Sequence, residues 1–138
     1  YYITDCNAIL LAVIPCNVDL ATVDILSRAE IIDPLGLRAI GVLTKPDLVV
    51  TGEESEAIKT LDNGAKKLKG GWIMTLCKES ENDNNAFVDE DAFFEQHPVF
   101  KNVGKDKVGV NSLSSLLMTM LVDRMESTIT AVYSTITT

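Results

Sequence analysis

Apolar and polar positions alternate in blocks along this chain, and the blocks predict the elements. Ala8-Ile9-Leu10-Leu11-Ala12-Val13-Ile14 is continuously apolar and stops at Pro15. Such a run suits a strand buried on both faces, as in a parallel sheet. Ala21, Ile25, Leu26, Ala29 and Ile32 then recur at helical spacing, with Asp19 or Asn17 placed to cap the helix and Asp33-Pro34 to end it. Leu37 to Leu43 predicts a second strand. Thr51 and Glu54 have capping-box spacing for a helix over Glu53 to Lys69, whose apolar face is Ile58, Leu61, Ala65 and Leu68. Lys66, Lys67 and Lys69 are expected in its last turn, where the helix dipole favours cations, and Gly70-Gly71 close it. Trp72 to Leu76 predicts a third strand.

The remainder reads less clearly. Glu79 to Asp91 holds six acidic residues with little periodicity and is expected as a solvated loop. Ala92 to Gln96 predicts a short helix halted by His97-Pro98, and Leu113, Leu116, Leu117, Met120, Leu121 and Met125 mark a final helix over Gly109 to Met125. Ser127 to Thr138, rich in Thr and β-branched residues, fits no helix well. The order β-α-β-α-β-loop-α argues a parallel sheet, with ligands at the carboxyl ends of its strands.

Composition narrows the function classes. The chain has 138 residues, 46% hydrophobic, with a net charge of −8. One domain with its own core is expected. The acidic balance repels phosphate backbones and anionic lipids, so no nucleic-acid partner is expected. No apolar run reaches the about 18 to 20 residues of a membrane span. Cys6, Cys16 and Cys77 lack close spacing and point to a reducing cytosol, Cys6 and Cys16 flank a strand and read as core thiols, and a lone His97 makes a zinc site improbable. No metal ligand is expected among these residues.

Thr44-Lys45-Pro46-Asp47 follows the second strand and matches the [NT]KxD pattern that reads guanine. Guanine presents two adjacent donors, N1–H and the exocyclic amino group. One carboxylate, Asp47, accepts both in a charge-assisted pair, whereas adenine offers an acceptor at N1. The stem of Lys45 can lie over the purine while its ammonium stays in water. Two phosphate-binding decoys fail. Gly36 and Gly41 have GxxxxG spacing, but Val42-Leu43 follow in place of Lys and Ser or Thr, and Gly41 lies inside a strand. Asp33-Pro34-Leu35-Gly36 fits DxxG but follows a helix. No catalytic residue is identified.

These residues sit in longer blocks with a family character. Ile14-Pro15-Cys16-Asn17-Val18-Asp19-Leu20-Ala21-Thr22, Asp33 to Val49, Leu68-Lys69-Gly70-Gly71-Trp72 and Phe93-Phe94-Glu95-Gln96-His97-Pro98-Val99-Phe100 resemble the dynamin superfamily, especially its Mx-like branch. The resemblance runs from Tyr1 to about Arg124 and implies the C-terminal half of a dynamin-type GTPase domain over 1–125, with a divergent tail over 126–138. The fold implied is α/β, a partial P-loop-NTPase-like three-layer sandwich with a mostly parallel sheet and flanking helices. The nucleotide-binding residues implied are Thr44, Lys45, Asp47, Leu48, Cys77 and Lys78. The sequence departs from the family at Lys78, Ser80 and Val50, and the departures at Ser80 and Val50 leave nucleotide-dependent pairing of two such domains open.

The function implied is that of a large GTPase coupling GTP hydrolysis to self-assembly and to membrane remodelling or fission. GTP and GDP are its ligands, Mg2+ is held by ligands in a preceding half, and membrane or cytoskeleton contacts lie in other regions. The location implied is cytoplasmic, peripheral to membranes or organelles. The chain opens at Tyr1 without P-loop or switches, so by itself it is expected to be inactive and, with one edge of its first strand unpaired, poorly soluble. Two other readings compete. A non-catalytic, GTPase-derived module is one. The other is a phospho-receiver domain, which needs its Lys-Pro after a fifth strand and an acidic pair after the first.

Overall fold

The computed structural model describes residues 2–64, 66–76 and 90–138. Three strands, β1 (Leu10–Pro15), β2 (Ala39–Thr44) and β3 (Trp72–Thr75), form a sheet in the order β1-β2-β3. Both pairings are parallel, with Ile14 opposite Leu43 and Leu43 opposite Met74. Four α-helices accompany them among the described residues: α1 (Asp24–Ile32), α2 (Glu54–Leu61), α3 (Glu90–Gln96) and α4 (Val110–Thr137). The chain is therefore α/β with a parallel sheet between helices, as expected.

Paired positions in neighbouring strands share a face. Ala12, Ile14, Ala39, Leu43, Trp72 and Met74 form one face and pack into a single core with Leu26 of α1, Ala57 and Leu61 of α2, Phe94 of α3 and Phe100. Gly41 belongs to this face opposite Trp72, and the indole lies where its side chain would be, 2.1 Å from an ideal Cβ. The glycine that imitates a phosphate loop in the sequence is thus the seat of the tryptophan. Ile40, Val42 and Ile73 are buried on the opposite face. Met120 of α4 approaches that face: its sulfur and Ile40 Cγ1 lie 3.0 and 2.6 Å from where a Gly70 Cβ would stand.

Several expectations change in the folded chain. β1 is not buried on both faces: Leu11 and Val13 are exposed because β1 is the sheet's edge and α4 contacts β3 instead. The predicted first helix splits into a 3-10 turn, Leu20–Thr22, and α1. Asp19 caps the turn by accepting Ala21 N–H at 2.9 Å. α2 ends at Leu61, well before Lys69, because Asn63 takes a left-handed conformation (φ 62°) and its side chain bonds both N–H and C=O of Leu68. Lys66, Lys67 and Lys69 therefore follow the helix, and Ala65 lies outside the described residues. Thr51 does not cap α2. Glu54 bends back to accept Gly52 N–H at 2.7 Å.

The largest difference is at the C-terminus. Residues 127–137 continue α4 without a break, against the reading that they fit no helix. Low intrinsic propensity is overridden there by propagation from a helix already nucleated and packed. No helix among the described residues is long and apolar enough to cross a membrane.

Candidate nucleotide site

β2 delivers the Thr44-Lys45-Pro46-Asp47 loop at the carboxyl edge of the sheet. Thr44 is the last residue of the strand, buried, and its C=O accepts Cys16 N–H at 2.7 Å, which ties the exits of β1 and β2 together. Lys45 follows in the left-handed region, φ 55° and ψ 50°. A long side chain rarely adopts that geometry, and its cost of order 1 kcal/mol makes such a residue a pointer to function. Here it reverses the chain into a 3-10 turn, Pro46–Leu48, closed by Leu48 N–H donating to Lys45 C=O at 3.1 Å. Pro46 is buried and anchors the turn, while Lys45, Asp47 and Leu48 stand exposed at the rim.

The Asp47 carboxylate is felt by β1. Burial pushes the Cys16 thiol up to about 12, and the negative charge of Asp47 adds to that rise. Cys16 is thus a protonated, inert thiol under the loop, in line with its reading as a core residue, whereas Cys6, read the same way, is exposed because it lies in the segment before β1. The structure brings Thr44, Lys45, Asp47 and Leu48 together in one turn, while Cys77 and Lys78 lie outside the described residues. A cleft of about 1130 Å³ opens between α1 and α2, with Cys16, Asp19, Leu48 and Val50 in its wall. Thr44, Lys45 and Asp47 do not line it. Among the described residues no cluster of His, Cys, Asp and Glu could hold a metal ion. The donors among the described residues do not fit Mg2+.

Four polar residues shape the surroundings, and two of them, Glu90 and Arg38, had not stood out in the sequence. Glu90 opens α3 instead of belonging to a solvated loop. It accepts Leu76 N–H at the exit of β3 (2.8 Å) and Val110 N–H at the start of α4 (2.9 Å). Nothing local marks it, since both partners are far along the chain. Arg38 is buried and donates to C=O of Ile3, Asp5 and Ala8 at 2.7 to 3.0 Å, fastening the segment before β1. Asp33 accepts Leu37 and Arg38 N–H, both at 3.0 Å, so the DxxG-like stretch is a helix-to-strand connector. His97 Nδ1 accepts Val99 and Phe100 N–H, and its ring stacks on Phe100 at 4.2 Å, which accounts for the single histidine structurally.

Comparison with known proteins places these features in a family. The family described as "Dynamin central region" matches residues 56–138, a match that runs through the C-terminal stretch read as divergent. The chain is similar to the interferon-induced GTP-binding protein Mx2 of Bos taurus, 40% identical over 128 residues, 88% of this chain and 18% of that protein. The Mx2 of Sus scrofa is 36% identical over 142 aligned residues, covering 98% of this chain and 20% of that one. The Mx1 of Eumetopias jubatus is 42% identical over 106 residues, 72% of this chain and 16% of that one. The chain spans about a fifth or less of the length of these relatives.

Proposed function

Because this chain belongs to the dynamin family, we infer that it is the guanine-reading part of a dynamin-like large GTPase. The observation that carries this reading is the turn at the carboxyl end of β2. There, left-handed Lys45 and buried Pro46 hold Asp47 exposed at the sheet rim, where open parallel sheets bind their ligands. The Asp47 carboxylate accepts guanine N1–H and the exocyclic amino group, and the Lys45 stem covers the purine. The family resemblance adds Cys77 and Lys78 to the residues assigned to this ligand. The names of the relatives, GTP-binding proteins, support the same ligand.

These residues supply base selectivity and leave phosphoryl transfer to others. The chain contains no GxxxxGK[ST] sequence, so phosphate cradling and Mg2+ binding fall to other residues of a longer protein. On this reading the chain by itself does not turn over GTP. The longer protein is a GTP hydrolase that couples the reaction to self-assembly and membrane remodelling, working in the cytoplasm at the periphery of membranes or organelles.

Titration of GTP and XTP against a protein of the relatives' length, wild type and Asp47→Asn, tests the site. The amide presents a donor to a guanine N–H, and loss of a charged hydrogen bond costs about 1.5 to 3 kcal/mol. GTP affinity is expected to fall about 10- to 150-fold, and XTP, with a carbonyl in place of the amino group, to gain. An unchanged GTP/XTP preference refutes the assignment of Asp47.

A further inference from the structure

Glu90 joins three elements through one carboxylate. β3 is an edge of the sheet, and its pairing with β2 ends at Thr44 opposite Thr75. Leu76 is therefore the first residue beyond the ladder. Residues two apart in a strand turn their backbone groups to the same edge. Met74 turns its C=O outward, where it accepts Gly109 N–H at 2.8 Å. Leu76 N–H leaves β3 on that same outer side, and Glu90 Oε1 accepts it at 2.8 Å. The carboxylate stands where a fourth strand would have placed a carbonyl. Its other oxygen accepts Val110 N–H at 2.9 Å. Val110 opens α4, and Gly109 before it (φ 93°) makes no side-chain cap. Glu90 thus satisfies an N–H that the helix itself leaves open and places negative charge at the positive end of its dipole. Behind the carboxylate, α3 is anchored in the core by Phe94, so Glu90 starts from a fixed base.

We propose that Glu90 is a positioning residue for the nucleotide site: by holding Leu76 N–H and Val110 N–H on one carboxylate, it sets the direction in which the chain leaves β3. The proposal rests on the reading of Thr44-Lys45-Pro46-Asp47 as the guanine-reading turn. The carboxyl ends of β2 and β3 lie side by side, with Thr44 opposite Thr75, and open parallel sheets bind ligands at such ends. Asp47 follows the exit of β2. Cys77 and Lys78, which the family resemblance assigns to the same ligand, follow Leu76 directly in the sequence. Capping α4 needs one oxygen of Glu90. The other goes to the exit of β3, a bond that closes neither helix and acts only on where that strand ends. Serving two N–H donors takes both oxygens. A carboxylate accepts with both, whereas a Gln amide presents a donor at one of the two positions.

Titration of GTP against a protein of the relatives' length tests the proposal. Glu90→Ala is expected to weaken GTP binding about 10-fold and Glu90→Gln about 3-fold. A Glu90 that only supported the fold would lower the urea midpoint and leave the affinity of the folded protein unchanged. In a Cys77→Ala/Lys78→Ala background, Glu90→Ala is expected to cost less than about twofold more, whereas its effect adds to that of Asp47→Asn within about twofold. Glu90→Gln, isosteric with the wild type, carries the same cycle if the alanine variant does not fold. Three results overturn the proposal: wild-type GTP affinity in Glu90→Ala, whatever its urea midpoint; a Glu90→Ala loss still above about twofold in the Cys77→Ala/Lys78→Ala background; or wild-type affinity in Cys77→Ala/Lys78→Ala itself. Asp47→Asn separates these failures from failure of the guanine-reading turn. A changed GTP/XTP preference keeps the turn while the role of Glu90 falls, and an unchanged one removes both.

Discussion

Adding one methyl group at Gly41 tests how the sheet that carries the Thr44-Lys45-Pro46-Asp47 turn is held together. In Gly41→Ala the new Cβ stands 2.1 Å from Trp72 Cε3 and 2.2 Å from Cδ2, far inside van der Waals contact. β2 is the central strand, bonded on both sides, so its backbone has little room to retreat. The indole has little either: Trp72 is 2% exposed, and its Nε1–H donates to Lys66 C=O at 2.8 Å. Overpacking of this kind costs about 1 to 3 kcal/mol, and loss of the indole hydrogen bond adds about 0.5 to 1.5 kcal/mol. We expect Gly41→Ala to lower the unfolding free energy by about 2 to 4 kcal/mol, read as a drop in the urea midpoint by circular dichroism. The double variant Gly41→Ala/Trp72→Leu checks the cause. The smaller side chain vacates the space the methyl needs, so the pair is expected to be more stable than the sum of its parts by about 1 to 3 kcal/mol. A Gly41→Ala effect below about 0.5 kcal/mol, or strict additivity in the double variant, refutes the steric account.

Two further outcomes follow from the site. Cys16 is raised from 9.0 to about 12 in the folded chain, so its stabilising contribution is complete below about pH 9 and is lost as pH rises from 9 toward 12, where only the unfolded thiol ionises. Unfolding free energy of wild type relative to Cys16→Ala should fall by about 1.4 kcal/mol per pH unit in that window, and parallel pH curves for the two proteins would exclude the linkage. Glu90→Ala removes the shared acceptor of Leu76 and Val110 N–H and is expected to cost about 1.5 to 3 kcal/mol, with Glu90→Gln losing about half as much; urea unfolding of both variants checks it, and a Glu90→Ala stability equal to wild type means water replaces the carboxylate.

The sequence alone determined the order of the elements, the parallel sheet and the turn at the carboxyl end of β2, because each rests on local pattern. A continuous apolar run has to be buried, and a Lys-Pro-Asp turn after such a run lands at the end of a strand. The family resemblance extended the same local blocks. What the tertiary structure decided were the features set by partners distant in the chain. Trp72 explains Gly41, a glycine whose spacing alone imitates a phosphate loop. Asn63, bonded to both backbone groups of Leu68, ends α2 before the periodicity does. Glu90 sits in an acidic run, and only folding brings Leu76 and Val110 N–H to its two oxygens. Likewise, Leu11 and Val13 read as buried, but their cover depends on which strand lies at the edge and where α4 rests. The C-terminal residues read as non-helical because their own propensities are weak, yet in the fold they extend a helix that the domain had already nucleated. Propensity is a property of a residue and can be read in order along the chain, whereas cover, capping and helix propagation depend on what folding brings alongside.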